Sequence, residues 1–371
     1  MGMLKLVAFI AILGLTLSGC QEIGEVENQA YVLVLAMDHA EDGALTLTAR
    51  VPKIGKGGGK GEAGDSPNSP YLTFAVTAPS WSRALDALQW ATPRRINLSH
   101  IEMIVASGEL AAQPGFPMLM NEVADTPQLY TNARFIVCAG NAGAFLEAGD
   151  TVIGARLSDE IRAMLSQYAH QGFIPDVSLA DVCYCANGIY GDPVAVWGDA
   201  AGKAFGEGGG SPVKESPMRQ CFSGAALFRG GRFARALSPR ETRLLNLIRG
   251  QGNTLFYQWG DSIVELSCDN PVRRRVALDG DGVTLSLALS LRAPAGYSDS
   301  DRALLEASIT SDIARLVEGC QRLGCDPFGF AEAAAGRFPT VPEWTAFNWR
   351  ARYARAALTI AVGVSPARSN P

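Results

Sequence analysis

The chain has 371 residues, 47% hydrophobic and 19% charged, a balance that supplies enough apolar surface for two or three folded domains. Its formal net charge of −5 argues against nucleic acid as a partner, because phosphate binding needs a concentrated basic face. Beyond the first twenty residues no apolar run approaches the ~20 residues of a spanning helix, so the bulk of the chain is expected to fold outside the bilayer.

Met1 to Lys5 supply one positive charge, and Leu6 to Leu17 form an apolar run that is too short to span a membrane. It reads as the core of a signal peptide over residues 1–19. The run ends in Leu17-Ser18-Gly19-Cys20, where small residues let an extended chain enter a peptidase groove and the thiol is the nucleophile that takes a diacylglyceryl group. These four residues directly after an apolar core resemble the bacterial lipobox, which implies cleavage before Cys20, lipidation of Cys20 and attachment to the lipid bilayer. Two acyl chains suffice for stable anchoring. Glu22, Glu25 and Glu27 follow, so no basic patch is expected to assist the lipid.

Further along, Tyr31 to Met37 and Leu45 to Val51 read as strands joined by a turn at Glu41-Asp42-Gly43. A glycine-rich stretch, Gly55 to Pro70, precedes a third strand from Tyr71 to Thr77. Ser80 caps a helix whose apolar face holds Trp81, Leu85 and Leu88 and extends to Trp90. Strands are expected at Ile101 to Ala106 and Phe135 to Val137, and a helix at Asp159 to Tyr168. The glycines and prolines between Trp197 and Gln220 mark a linker or long loop.

In the second half, Gly224 to Phe228 and Arg232 to Ala236 form a hairpin around Gly230-Gly231. Ser238-Pro239-Arg240-Glu241 opens a helix with a near capping box. Strands follow at Ser262 to Ser267, Val272 to Leu278 and Val283 to Leu291. Asp299 to Leu323 is a long amphipathic helix stopped by Gly324, and Arg355 to Val364 is a last strand. The expected class is α+β, with mostly antiparallel mixed sheets and packed helices. The expected organisation is a signal peptide at 1–19, an N-terminal region at 20–197, a linker at 198–220 and a C-terminal domain at 221–371.

No chemistry emerges from the reactive residues. His39, His100 and His170 are isolated in the sequence, and no serine sits in a nucleophile elbow. Gly59-Lys60-Gly61-Glu62-Ala63-Gly64 has the letters of a dinucleotide fingerprint, but prolines follow where its helix should begin. Cys183-Tyr184-Cys185 and the pair Cys320 and Cys325 lack the spacing of a zinc knuckle, so neither a metal nor a cofactor is expected. Export would permit a disulfide, with Cys320 and Cys325 as the candidates. The clusters Arg273-Arg274-Arg275 and Arg350, Arg352, Arg355 read as solvated faces. Phe328 and Phe330, flanking Gly329 just after the long helix, read as core anchors returned onto that helix by a tight turn.

With these residues in view, the chain resembles the spore germination receptor C-subunit family, the GerC-type lipoproteins. The likeness runs from the lipobox through Ala30 to Asp38, Pro70-Tyr71-Leu72-Thr73, Ala84-Leu85, Pro93-Arg94-Arg95 and Leu98-Ser99-His100-Ile101. It continues through Ile104-Val105, Gly108-Glu109-Leu110-Ala111 and Asp192-Pro193-Val194. In the second half it takes in Gly224 to Phe228, Leu237-Ser238, Glu241 to Leu245, Arg249-Gly250 and Gly324-Cys325-Asp326-Pro327-Phe328-Gly329-Phe330. Membership implies three small α+β domains and a non-enzymatic subunit of a nutrient germinant receptor. The subunit would be held by Cys20 on the outer face of the inner spore membrane beside membrane-embedded A and B subunits. A lipoprotein solute-binding receptor of an importer is the alternative; it calls for repeated strand-helix-strand units in two lobes.

Overall fold

The computed structural model describes residues 28–53, 71–147, 157–188, 190–200, 220–280 and 282–367. The signal stretch, Cys20, the glycine loop before Tyr71 and residues 201–219 lie outside the described residues.

A short strand, β1 (Gln29–Tyr31), precedes β2 (Val34–His39). A 3-10 turn at Glu41–Gly43 then reverses the chain into β3 (Leu45–Pro52), which pairs with β4 (Tyr71–Ala78). The turn works because Asp42 and Gly43 take φ of 57° and 76°, a region that short polar side chains and glycine tolerate. Helix α1 (Trp81–Ala91) begins where the Ser80 hydroxyl accepts the Arg83 N–H, and it buries Trp81, Ala84 and Leu88. Trp90 does not belong to that face: it is 90% exposed. At about 100° per residue, nine positions past Trp81 is the opposite side of the helix.

Strand β5 (Arg95–Asn97) pairs with β1, and β6 (Met103–Ser107) lies parallel to β2. Helices α2 (Gly108–Ala111) and α3 (Phe116–Ala124) lead to β7 (Arg134–Cys138). Helices α4 (Ala142–Glu147), α5 (Leu157–His170) and α6 (Leu179–Asn187) lead to β8 (Val194–Ala200). The hairpin β9 (Gln220–Arg229) and β10 (Arg232–Leu237) completes an eight-stranded sheet in the order β10-β9-β8-β7-β6-β2-β3-β4. The expected linker at 198–220 thus falls between two adjacent, antiparallel strands of one sheet, and β8 takes Gly198 to Ala200 into the pairing.

Antiparallel pairings outnumber parallel ones among the described strands, and the class is α+β as expected. The centre of the larger sheet, β2-β6-β7-β8, is nevertheless parallel. Parallel strands are covered on both faces by their crossover helices, so they read as continuous apolar runs. The period-2 alternation divides those runs between two cores. Leu35, Met37, Ile104, Ala106, Phe135 and Val137 pack with Trp81, Leu88, Phe116 and Met120. Val34, Ala36, Met103, Val105 and Ile136 pack with Phe145, Leu146, Leu165 and Ile174 on the other side.

The second sheet starts after α7 (Pro239–Arg249), whose Ser238 and Glu241 form a full capping box, with Gly250 left-handed at its end. It contains β11 (Thr254–Trp259), β12 (Ser262–Cys268), β13 (Arg273–Asp279) and β14 (Gly282–Arg292). Helix α8 (Asp299–Leu323) crosses the sheet. Helices α9 (Phe330–Ala335), α10 (Val341–Phe347) and α11 (Trp349–Tyr353) then bring the chain to β15 (Ala357–Ser365), which runs parallel to β14. Asp312 is buried on α8 and accepts from Tyr257 Oη at 2.7 Å and Arg240 Nε at 2.8 Å, so its charge is compensated.

Gly324, at φ 66°, ends α8 in a Schellman turn, its N–H donating to the Gln321 carbonyl and the Cys325 N–H to the Cys320 carbonyl. Cys320 and Cys325 are the residues whose side chains such a turn brings together, and both are buried free thiols. Phe328 and Phe330 are fully buried, with ring centroids 6.0 Å apart, and Gly329 between them is left-handed at φ 79°. Truncating a buried aromatic costs about 3–5 kcal/mol. Phe328→Ala is therefore expected to lower the melting temperature of the chain by several degrees, and an unchanged melting curve would contradict the packing described.

Candidate functional site

Two short segments far apart in sequence meet between the sheets. Asp192 lies in the turn between α6 and β8; Asp326 lies between α8 and α9. The Asp326 N–H donates to Asp192 Oδ2 at 3.0 Å, and the Asp192 N–H donates back to the Asp326 carbonyl at 3.4 Å. Asp192 Oδ1 accepts the Gly230 N–H and Arg350 Nη2, each at 2.8 Å. One carboxylate, 5% exposed, thereby joins the β9–β10 turn, the start of α9 and helix α11. The turn can approach because Gly230 and Gly231 hold φ of 57° and 76°; a Cβ on Gly230 would stand 3.3 Å from Arg350 Nη1.

Asp326 has a different set of partners. Its Oδ1 accepts the Phe328 N–H at 3.2 Å and its Oδ2 the Ala331 N–H at 2.6 Å, so it serves donors at the start of α9 that have no intrahelical acceptor. Burial pushes its carboxyl up to about 6, against the opposing pull of those N–H bonds, and the Asp192 charge adds to the rise. Two guanidinium groups brace the same loop. Arg249 donates to the Pro327 carbonyl at 2.6 Å and Arg274 donates to the Phe328 carbonyl. Burial pushes the Arg249 guanidinium down from its ordinary range.

Above the paired aspartates is a crevice of about 380 Å³ lined by Gly230, Gly231, Trp344, Trp349, Arg350 and Tyr353. Trp344 stacks on Trp349 with centroids 5.8 Å apart, and Tyr190 packs at 5.7 Å on Trp344. The Trp349 indole N–H and the Tyr353 hydroxyl are buried and have no hydrogen-bond partner among the described residues. The oxygens of both carboxylates accept hydrogen bonds from the segments around them, and through these bonds the cluster acts as a clasp.

The residues singled out by sequence have other places. Cys20 lies outside the described residues, as does the Gly59 to Gly64 loop. His39 ends β2, His170 ends α5, and His100 packs edge-on against Tyr31 at 4.9 Å. Cys183 is buried on α6 while the next residue, Tyr184, is 76% exposed. Arg274 and Arg350 are not simply solvated: they are drawn into the clasp, and Arg352 lies 4.4 Å over the Phe347 ring. Asp192 and Asp326 carried no role in the sequence reading. Beyond their place in the family-like segments, the local signal is an Asp-Pro dipeptide at each position, since aspartate before proline favours an extended turn whose carboxylate bonds nearby N–H groups.

The raised carboxyl of Asp326 sets a sign for pH dependence. The folded state holds this proton more tightly than the unfolded chain, whose ordinary value is 3.8. Its contribution is therefore full below about pH 4 and lost as pH rises to about 6, a change of roughly 3 kcal/mol at 1.36 kcal/mol per pKa unit. The melting temperature of the wild type should accordingly fall relative to that of Asp326→Asn across this window; parallel profiles would show that Asp326 titrates normally. Arg350→Ala removes one bond to a buried carboxylate and should cost about 1–3 kcal/mol, with Arg350→Lys recovering part of the loss in thermal melts.

Comparison with known proteins finds matches over most of the chain. Residues 23–197 match the family described as spore germination protein N-terminal domain, and residues 223–369 the family described as spore germination B3/GerAC like, C-terminal. Over 175 residues the chain is 22% identical to spore germination protein KC of Bacillus subtilis (strain 168). That alignment covers 45% of this chain and 42% of the relative, less than half the length of either. Among solved structures, the crystal structure of the GerBC protein has a similar fold, with a TM-score of 0.53 at 11% identity over 90% of this chain and 96% of that one. With family matches on both sides of residues 198–222 that together cover most of its length, the chain belongs to the GerAC-like spore germination protein family, the family of germinant-receptor C subunits.

Proposed function

We propose that this chain is the lipid-anchored, non-enzymatic C subunit of a nutrient germinant receptor, acting in spore germination through assembly with membrane-embedded A and B subunits. The observation that carries this reading is the order of its parts. A lipobox ending at Cys20 is followed almost at once by the first family region, which starts at residue 23, and then by the second. Among the described residues no helix is long and apolar enough to cross a membrane, and in this reading the lipid on Cys20 supplies the attachment. The regions at 20–197 and 221–371 work as one body, because the larger sheet takes strands from both and Asp192 clasps them together. Held on the outer face of the inner spore membrane, such a body gains a high effective concentration beside membrane partners without any new contact.

Cys20→Ala should leave unprocessed precursor and abolish incorporation of labelled fatty acid; equal labelling of variant and wild type would remove the anchor from the reading. Spores lacking the protein should lose the response to one set of nutrients yet germinate when the receptors are bypassed. Unaltered responses to every nutrient tested, in a strain without a redundant receptor, would refute the receptor assignment.

A further inference from the structure

Helix α8 ends in a turn that sets two sulfurs together. In a Schellman turn the two residues joined by the wider backbone hydrogen bond also lie in side-chain contact. Here they are Cys320 and Cys325, with the Cys325 N–H donating to the Cys320 carbonyl at 3.1 Å. Both residues are 0% exposed and belong to the core between α8 and the second sheet. Hydrogen bonding to Cys325, together with burial, pushes the Cys320 thiol well above its ordinary value.

The other cysteines of the described residues are placed differently. Cys138, Cys183 and Cys268 each donate to a backbone carbonyl, those of Gly140, Met120 and Asn270. Cys183 and Cys185 are two residues apart on α6, so their side chains leave the helix about 200° apart. Cys138 on β7 and Cys221 on β9 are separated by β8, roughly 9.5 Å at the ordinary spacing of strands. A disulfide needs Cα atoms within about 7 Å and side chains that point together. Cys320 and Cys325 sit in a turn whose geometry supplies the second condition and whose hydrogen bond holds the two backbones close.

We propose that Cys320 and Cys325 are oxidised to an intrachain disulfide in the exported protein, a covalent tie that holds the clasp loop on the last turn of α8. This rests on the export implied by the proposed function, because disulfides persist outside the reducing cytosol. The oxidant is a donor disulfide, small-molecule or protein. One cysteine, as thiolate, attacks it; the donor S–S bond breaks and a mixed disulfide forms, with one donor thiol released. The second cysteine gives up its proton and attacks the mixed disulfide, forming the Cys320–Cys325 bond and releasing the second donor thiol. The two cysteines lose two electrons and two protons, and the donor gains them. Exchange needs an accessible thiolate, so the bond forms before the core closes over the turn, and five residues of separation make the encounter local. The next residue is Asp326, whose N–H bonds Asp192 and whose carboxylate caps α9. The tie thus presents Asp326 to the clasp from a fixed turn.

The test is differential alkylation of the full chain taken from membranes in detergent. Free thiols are blocked with N-ethylmaleimide in denaturant at the moment of lysis; disulfides are then reduced and labelled with iodoacetamide, and the peptides are mapped by mass. Cys320 and Cys325 should carry the second label, and Cys138, Cys183, Cys185, Cys221 and Cys268 the first. In Cys325→Ala, Cys320 should move entirely to the first label. Maleimide on Cys320 and Cys325 of the wild type overturns the proposal. So does the second label on Cys320 of Cys325→Ala, which would show a different partner. Labelling is done on unfolded chain, so a variant that folds poorly is still read, and the wild-type map decides by itself. Fatty-acid labelling of the same sample reports the anchor separately: lipidated chain with both thiols free refutes the disulfide alone, and unlipidated chain with both thiols free refutes the anchored reading as well.

Discussion

The Asp192 carboxylate receives two backbone N–H groups and one guanidinium, and each comes from a different part of the chain. A buried, unpaired charge would cost several kcal/mol, and the three donors together compensate it. That requirement fixes the β9–β10 turn, the loop after α8 and helix α11 relative to one another. Asp326 extends the constraint by capping the start of α9, and Arg249 and Arg274 hold the carbonyls of the same loop. The aromatic rings of Trp344, Trp349 and Tyr353 then have a defined wall to pack on.

Around this clasp the two sheets solve the same problem in different ways. The larger one is covered on both faces, so its central strands are mostly apolar and divide their side chains between two cores. The smaller one buries a single face. Leu285, Leu287, Leu289 and Leu291 of β14 turn toward α8, while Ser286, Ala288 and Ser290 between them turn away. A strand that needs cover on one side tolerates small polar residues on the other, and this is why β14 and β15 alternate so regularly.

The consequences for function lie at the edges of the molecule. The outer side of β15, where no strand among the described residues pairs, is one such edge. Helix α8 separates the clasp at its C-terminal end from Glu306 near the far end of β15, so one rigid element spans both.

Much of this was legible in the residues themselves. The capping box at Ser238, the stop at Gly324, the hairpin at Gly230-Gly231 and the whole extent of α8 follow from local rules that act within a few residues. So did the burial of Phe328 and Phe330. Local rules were silent on the short α9, α10 and α11, whose stability comes from packing and not from helical period, and on β11, whose apolar and polar residues alternate for too few positions to register. They misplaced Trp90, because a hydrophobic residue signals burial only when its helical angle agrees. The parallel centre of the larger sheet and the meeting of Asp192 with Asp326, Gly230 and Arg350 were decided by tertiary structure alone. Strand order and a carboxylate's partners depend on which distant segments are brought together, and no spacing along the chain records that.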